Sequence, residues 1–234
     1  MKKWLLGGIS AALLVFVGGP FLYIHVFSKK APAKFDVSTT ATDKASSDDP
    51  AVGSSGDSSV PLDGTWKVTT GSAAGYRVKE VLFGQSNTAV GRTTSVTGQF
   101  AASGTSINSG SFTVDMTTVT SDKSMRDRQF QGRIMETSTY PTATFELTKP
   151  IDLGSIPADG TTKTVPATGK LTLHGVTKPV TISLTAKRTA DSVEVSGSLP
   201  VTFADWNISN PSFGGTVTTE DHGLLELLLK FAHA

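Results

Sequence analysis

Apolar and polar residues alternate along most of the chain after residue 62, and this pattern limits the fold more than any other feature of the sequence. A period of two turns successive side chains of an extended strand toward opposite faces, one toward a core and one toward water. In residues 111–118, Phe112, Val114 and Met116 share one face. The predicted strands are 65–69, 76–83, 94–101, 111–118, 142–148, 170–174, 180–187, 192–203 and 224–231.

A chain with about eight to ten such strands is expected to close its sheet, because a barrel removes the unpaired edges of an open sheet. The interior of a barrel of about eight strands is either filled by side chains or holds one ligand, and the alternation does not decide which. Residues 121–135 read as a short helix that begins with Ser121 or Asp122 as its N-cap and can cover one mouth. The predicted fold is all-β, an antiparallel barrel with one short helical segment.

Residues 1–30 predict a transmembrane signal anchor. The apolar stretch from Trp4 to Phe27 is 24 residues long, and about 20 apolar residues are enough to cross a bilayer as a helix. Ala31-Pro32-Ala33 resembles a signal-peptidase site, so cleavage of this stretch is the alternative. A retained anchor predicts a single-pass protein of the cell membrane with an extracytoplasmic domain.

Residues 31–61 predict a disordered linker, because they are rich in Ser, Thr, Asp, Ala and Pro and contain few large apolar side chains. A flexible segment of roughly 30 residues has an end-to-end distance of about 30 Å. The linker would therefore hold the folded domain, residues 62–234, close to a membrane.

Charge and cysteine content exclude several classes of protein. Of the 21 Lys and Arg and the 20 Asp and Glu, six and five precede Leu62, so fifteen of each remain in the folded part. A neutral domain lacks the basic excess that nucleic-acid binding requires. The chain has no cysteine, which excludes disulfides and thiolate metal sites.

Three motifs occur in a fixed order along the predicted barrel. They are Arg126-Asp127-Arg128-Gln129-Phe130 followed by Ile134-Met135-Glu136 and Tyr140-Pro141-Thr142-Ala143-Thr144-Phe145, then Gly169-Lys170-Leu171-Thr172-Leu173-His174-Gly175-Val176-Thr177-Lys178-Pro179-Val180, then Phe203-Ala204-Asp205-Trp206-Asn207-Ile208. Together they resemble the YceI family of polyisoprenoid-binding proteins of the bacterial cell envelope. Gln129 stands where the family usually has His, and Ile134-Met135 replaces a pair of Phe.

This resemblance implies a lipocalin-like barrel with an apolar tunnel that takes an isoprenoid tail, such as that of a polyprenyl phosphate or a quinone. Any single inward apolar residue packs a core by default, so only the whole set favours a tunnel. The candidates for its lining are Phe100, Phe112, Met116, Phe130, Ile134, Met135, Phe145, Leu173, Phe203 and Trp206.

Arg126 and Asp127 are the candidates for contact with a polar headgroup, because a guanidinium presents a planar fork of donors to phosphate oxygens. The competing interpretation is an ion pair or cap at the start of the helix. Tyr140 precedes Pro141, which favours an extended backbone and so a structural role at the entry to a strand.

The sequence predicts no catalytic residue, metal site or other cofactor. His174 is expected on the polar face of its strand and His222 in a loop, and neither has partners at ligand spacing. The main hypothesis is non-enzymatic lipid binding for carriage, storage or sensing, and a homodimer is compatible with it. The alternatives are a filled barrel that serves as an interaction or stress-related scaffold, and an envelope hydrolase or transferase, which the lack of a recognisable nucleophile and base disfavours.

Overall fold

The structure, a computed structural model, describes residues 31–37, 62–189 and 191–234, and in these residues thirteen strands form one antiparallel sheet. One short helix, α1 Ser124–Gln129, interrupts the strands. The strands are β1 Gly64–Val68, β2 Ala73–Leu82, β3 Gln85–Thr93, β4 Val96–Ser103, β5 Ser106–Asp115, β6 Thr120–Ser121, β7 Thr142–Leu147, β8 Ile151–Asp152, β9 Thr162–Leu173, β10 Val176–Thr189, β11 Ser192–Thr202, β12 Val217–Thr219 and β13 His222–His233.

The sheet closes on itself as an eight-stranded barrel. β1 and β2 are successive parts of one barrel strand, and β3 and β4 are parts of the next, because β2 pairs with β3 while β1 pairs with β4. β13 completes the ring: one edge pairs with β11, and the other pairs first with β2 and then with β1. The predicted all-β antiparallel barrel with one short helix is confirmed.

The barrel has two different ends. The end that carries α1, here called the α1 end, also holds a π-helical turn at Phe130–Ile134, the β9–β10 turn and the loop before β12. The opposite end, here called the β10–β11 end, holds the β4–β5 turn, the β10–β11 turn and the loop between β8 and β9. The apolar core runs through the barrel between these two ends.

The helical segment begins later than predicted. Ser121 belongs to β6, where it pairs with Gly91 of β3, and it lies too far before the first helical residue, Ser124, to be the helix N-cap. Lys123 occupies the N-cap position and makes no capping bond through its side chain. The prediction of Ser121 or Asp122 as N-cap was therefore wrong, because strand pairing extends beyond the last apolar residue of the alternating pattern.

Strand β3 was missed by the sequence analysis, since residues 85–93 contain almost no large apolar side chains. Gly91 of this strand lies beneath the ring of Tyr76, and a Cβ at Gly91 would come within 2.3 Å of Tyr76 Cε1. Small residues are needed in β3 because an aromatic ring from β2 already fills the adjacent interior. The pattern of large apolar residues cannot reveal a strand of this kind.

Residues 31–37 lie against the outside of the barrel. Val37 is 0% exposed, and its backbone N–H contacts the Ser196 hydroxyl at 3.4 Å. Arg77 donates to the carbonyl of Pro32 at 2.7 Å, and its Nε contacts the Glu226 carboxylate at 3.4 Å. The linker was predicted from residue 31, and this first part of it contacts the folded domain. The rest, residues 38–61, lies outside the described residues.

No helix among the described residues is both long and apolar enough to cross a bilayer. The predicted anchor, residues 1–30, lies outside the described residues.

Candidate functional site

Two apolar cavities occupy the interior of the barrel. Chamber 1, on the side of the α1 end, has a volume of about 170 Å³. Seven residues predicted for a tunnel line it, and they come from β5, β9 and the helical turns at the mouth. These residues are Phe112, Met116, Phe130, Ile134, Met135, Leu173 and Phe203.

Chamber 2, on the side of the β10–β11 end, has a volume of about 140 Å³. The predicted residues Phe100, Phe112 and Phe145 line it. Phe112 and Leu227 line both chambers, and Phe112 stacks on Phe145 with ring centroids 5.4 Å apart. The two chambers are therefore successive parts of one apolar interior, separated by a wall of a few side chains.

Trp206 differs from the other predicted tunnel residues, because it is buried but lines neither chamber. Its backbone carbonyl lies 3.2 Å from His174 Nδ1, and Lys178 Nζ lies 5.8 Å from the centre of its ring. The structure thus gives Trp206 a packing position outside the interior cavities.

The mouth at the α1 end carries a group of paired charges. Arg126 Nη2 donates to Glu80 Oε1 at 2.8 Å, and Arg126 Nη1 donates to Asp122. Glu80 Oε1 also accepts from Asn87 Nδ2 at 2.6 Å. Burial acts to lower the pKa of Arg126, but the carboxylates of Glu80 and Asp122 outweigh it and raise that pKa. Arg126 thus lines chamber 1 with its charge already compensated.

Asp127, the second headgroup candidate, faces the backbone before α1. Its Oδ1 accepts from the Ser121 amide at 2.7 Å and from the Ser121 hydroxyl at 2.6 Å. These bonds agree with the alternative interpretation of Asp127 as a local partner at the start of the helix. Asp127 is not among the residues that line either chamber.

Tyr76 forms part of the wall of chamber 1. Its ring stacks on Phe130 with centroids 5.0 Å apart. Burial raises the pKa of Tyr76 above its ordinary value, and the nearby Arg126 charge only partly opposes this. The phenol therefore stays neutral in the wall of chamber 1.

The mouth at the β10–β11 end contains charged residues that the sequence analysis missed. The inward positions of β10 were followed from Val180 to Ala186, and the next one is Arg188, which lines chamber 2. Lys163 of β9, paired in register with Ala186, also lines this chamber. Continuing the same alternation by one step along β10 would have identified Arg188.

His174 lies in the interior and not on a polar face, so that expectation was wrong. The residue is 8% exposed, and its ring meets Tyr140 edge-on with centroids 4.7 Å apart. β9 ends at Leu173, and His174 adopts a positive φ in the turn that follows, where alternation along the strand no longer applies. The neighbouring Gly175 is packed under Tyr140, where a Cβ would lie 2.5 Å from Tyr140 Cε1.

Tyr140 and His174 therefore join two segments that are far apart in the sequence. His222 is the first residue of β13, and its Nδ1 lies 2.8 Å from Asp221 Oδ1. In the described part of the chain, no three His, Asp or Glu residues are grouped in a way that would hold a metal ion.

A family model for the YceI-like domain matches residues 66–231, which is almost the whole barrel. The chain belongs to the YceI-like family. Its N-terminal residues up to 65 fall outside the matched region.

Solved structures share the fold of this YceI-like domain. A polyisoprenoid-binding domain from Saccharophagus degradans covers 72% of this chain and 98% of its own, with a TM-score of 0.60 at 18% identity. BcnA from Burkholderia cenocepacia covers 70% of this chain and 95% of its own, with a TM-score of 0.51 at 22% identity. At these identities the likeness shows the fold alone.

Among curated proteins, a UPF0312 protein of Vibrio parahaemolyticus is 41% identical over 70 residues, which cover 30% of this chain and 33% of that protein. A UPF0312 protein of Vibrio campbellii is 40% identical over 70 residues, with the same coverage. The chain thus spans about a third of the length of the curated relatives it matches.

Proposed function

We propose that this YceI-like domain is a non-enzymatic lipid-binding protein that holds the chain of an isoprenoid, or of a similar long-chain lipid, inside its barrel. The observation that carries the proposal is the pair of adjoining apolar chambers of about 170 and 140 Å³. The resemblance of the fold to a domain described as polyisoprenoid-binding supports the same ligand class.

The size of the chambers limits the length of chain that fits without rearrangement. A cavity of about 150 Å³ lined by Leu, Ile and Phe stays dry and binds benzene, so each chamber takes roughly one isoprene unit as it stands. A longer tail needs Phe112 and Leu227, which line both chambers, to move aside. Burial of each methylene contributes about 0.8 kcal/mol, so a tail through both chambers binds firmly without any headgroup contact.

The proposed place of action is the extracytoplasmic side of a membrane, with residues 1–30 as the anchor. This part of the proposal rests on the apolar stretch from Trp4 to Phe27 and on the polar residues that follow it. A domain tethered there would meet isoprenoid lipids at the surface where they reside.

A second candidate function, a protein-interaction scaffold, is favoured by apolar side chains exposed at the α1 end. Phe83, Met125 and Phe213 are 56%, 68% and 71% exposed, and all three belong to turns or helix at that end. Exposed large apolar side chains in one region are typical of a contact surface. This candidate predicts a partner footprint at the α1 end and an interior that takes up no ligand.

The test combines extraction with variants that fill each chamber. The full-length chain is purified from membranes, its bound lipids are extracted into organic solvent and identified by mass spectrometry, and uptake of added geranylgeraniol is measured. Ala143→Phe fills chamber 1, which Ala143 lines. Gly110→Leu fills chamber 2, where a Cβ at Gly110 has its nearest neighbour, Phe100 Cβ, at 3.5 Å.

Both filling variants are expected to fold and to lose at least about ten-fold in uptake, because the added side chains occupy the space of the ligand. Thr181→Phe is the matched control, since it adds a ring at an exposed position of β10. If the protein carries no lipid and takes up none, or if both filled variants bind like the wild type, lipid binding in the barrel is rejected. A large loss of stability in both variants without any bound lipid would favour the scaffold.

A further inference from the structure

Arg188 carries a charge that the surrounding protein leaves largely unpaired. The residue is 6% exposed and lines chamber 2 near the β10–β11 end. Among the residues that the structure describes, no acceptor lies within hydrogen-bond reach of Nε or Nη2. The carboxylate of Asp159 lies 3.8 Å from Nε, which is an ion-pair distance but not a hydrogen bond, and Asp159 is itself partly exposed.

Buried donors without acceptors are costly, and the cost is greater for a charged group. The position of Arg188 is nevertheless well defined, since it continues the inward row of Leu184 and Ala186 on β10. A guanidinium offers a rigid fork of N–H groups that matches the oxygens of a phosphate or carboxylate. The side chain therefore has the geometry of a binding group for an oxyanion inside the barrel.

Lys163 adds a second positive charge to the same mouth. It lines chamber 2 on the neighbouring strand, and its Nζ donates to the backbone carbonyls of Leu153 and, at 3.2 Å, Ser155. These acceptors are neutral, so the charge of Lys163 is not cancelled. Lys163 and Arg188 are the charged residues among the described residues that line chamber 2, and no Asp or Glu is among them.

The mouth at the α1 end has the opposite character. Arg126 donates to Glu80 and Asp122, so its donors are directed at carboxylates of the protein itself. An anionic headgroup placed there would have to displace Glu80 from Arg126 and would lie beside two carboxylates. Electrostatics therefore disfavours that mouth for an anion.

We propose that Arg188, assisted by Lys163, binds the anionic headgroup of the lipid, with its chain extending through chamber 2 toward the α1 end. The headgroup class is an oxyanion, a phosphate ester or a carboxylate. This inference rests on the proposed lipid binding and adds to it the direction of the ligand and the sign of its head. It replaces the prediction that Arg126 and Asp127 contact the head.

The experiment compares charged and neutral ligands with the same chain. The full-length chain is held in nanodiscs of phosphatidylcholine, and binding of geranylgeranyl phosphate, geranylgeraniol and palmitate is measured, with partition into empty nanodiscs subtracted. Inorganic phosphate is the probe for an anion site without a chain. Arg188→Met keeps an unbranched apolar side chain and removes the charge. Lys178→Met is the matched control, because it removes one exposed cation at the α1 end.

Arg188→Met is expected to weaken geranylgeranyl phosphate and palmitate about ten-fold to a hundred-fold, the loss of one charge-assisted contact, while geranylgeraniol changes less than about two-fold. Lys163→Met is expected to show a smaller loss with the same selectivity, and it tests the mouth should Arg188→Met fold poorly. Lys178→Met should bind all three like the wild type.

Three results would overturn the inference, and they differ in meaning. If charged and neutral ligands bind, but Arg188→Met and Lys163→Met affect both alike, the head does not lie at this mouth and lipid binding stands. If no long-chain ligand binds, the inference and the proposed function both fail. If inorganic phosphate binds through Arg188 while the lipids do not, the site takes a free anion and the lipid assignment is wrong.

Discussion

The two mouths of the barrel contain similar residue types and differ in how the charges are paired. At the α1 end, Arg126 reaches Glu80 at 2.8 Å and also contacts Asp122. At the β10–β11 end, Arg188 is more deeply buried and has one carboxylate at 3.8 Å. The donors of Arg126 are paired with carboxylates of the protein. Arg188 has donors with no acceptor in the described parts of the protein, and these are free to bind an external anion.

This difference shows that burial of an arginine does not by itself reveal its role. A side chain whose donors are satisfied by protein carboxylates stabilises the fold around it, and removing it leaves those carboxylates exposed to an apolar environment. A buried side chain with free donors destabilises the empty protein and becomes favourable when an anion arrives. Substitutions at the two ends distinguish these two roles.

Aromatic truncation should cost more at the β10–β11 end than at the α1 end. Trp66→Ala should lower the free energy of unfolding by about 4 to 5 kcal/mol, because a fully buried ring is lost together with its bond to the Leu62 carbonyl. Phe130→Ala should cost about 3 kcal/mol or less, since its turn lies outside the barrel strands and can collapse into the gap. Denaturant unfolding measures both, with the exposed Phe83→Ala as the control. Equal losses would contradict the difference.

Removal of the two arginines should have opposite effects on the ligand-free protein. Arg126→Met should lower the free energy of unfolding by about 2 to 3 kcal/mol, because Glu80 keeps only Asn87 as its partner. Arg188→Met should leave it unchanged or raise it by up to about 1 kcal/mol, because unpaired buried donors are removed. Denaturant unfolding of each variant, after its lipids have been extracted, measures the two free energies of unfolding. A comparable loss in both variants would show that Arg188 is also a structural group.

The wall between the chambers should control which chain lengths bind. Phe112→Leu should cost about 1 kcal/mol of stability and open a passage, so that affinity rises for geranylgeraniol but not for the shorter geraniol. Phe145→Leu is the matched control, because Phe145 stacks on Phe112 but lines chamber 2 alone. An equal gain for both chain lengths would mean that Phe112 does not separate the chambers.

The smallest effect is expected from the exposed ion pair at the α1 end. Lys178 Nζ lies 3.2 Å from Asp205 Oδ1, and both side chains are well exposed. Lys178→Ala should change the free energy of unfolding by about 0.5 kcal/mol or less. Thermal unfolding at two salt concentrations checks this, and a salt-sensitive loss as large as that of Arg126→Met would remove the contrast between buried and exposed pairs.

The strands could be predicted where large apolar residues alternate, and this was enough to identify the barrel. The rule failed in β3, where Gly91 makes room for Tyr76, and at Ser121, which pairs in a strand although its neighbours lack the pattern. Both failures have one cause: a side chain or strand from elsewhere in the barrel determines the local structure. Such contacts are not visible in a local period.

The candidate site was predicted unevenly for a similar reason. Nine of the ten proposed tunnel residues line a chamber, and Trp206 is the exception. An inward position on a strand, such as that of Phe112, follows directly from alternation. Alternation gives no orientation in the turn Phe203–Trp206, where Phe203 lines chamber 1 and Trp206 does not.

The motifs indicated Arg126 as a headgroup contact. Its partner Glu80 is 46 residues away, so the pairing could not be predicted from the local sequence. Arg188 follows the strand rule, but it was missed since the apolar row was taken to end at Ala186.

The pairing of β13 on both of its edges has a consequence for the order in which the barrel folds. Its last residues meet β1, so that Phe231 pairs with Val68 and joins the two extremes of the domain. Contacts so distant in sequence form late, because a long loop must close first. Until β13 pairs on both sides, the other strands form an open sheet with two unpaired edges, and during that interval the chain is exposed to pairing with strands of other molecules.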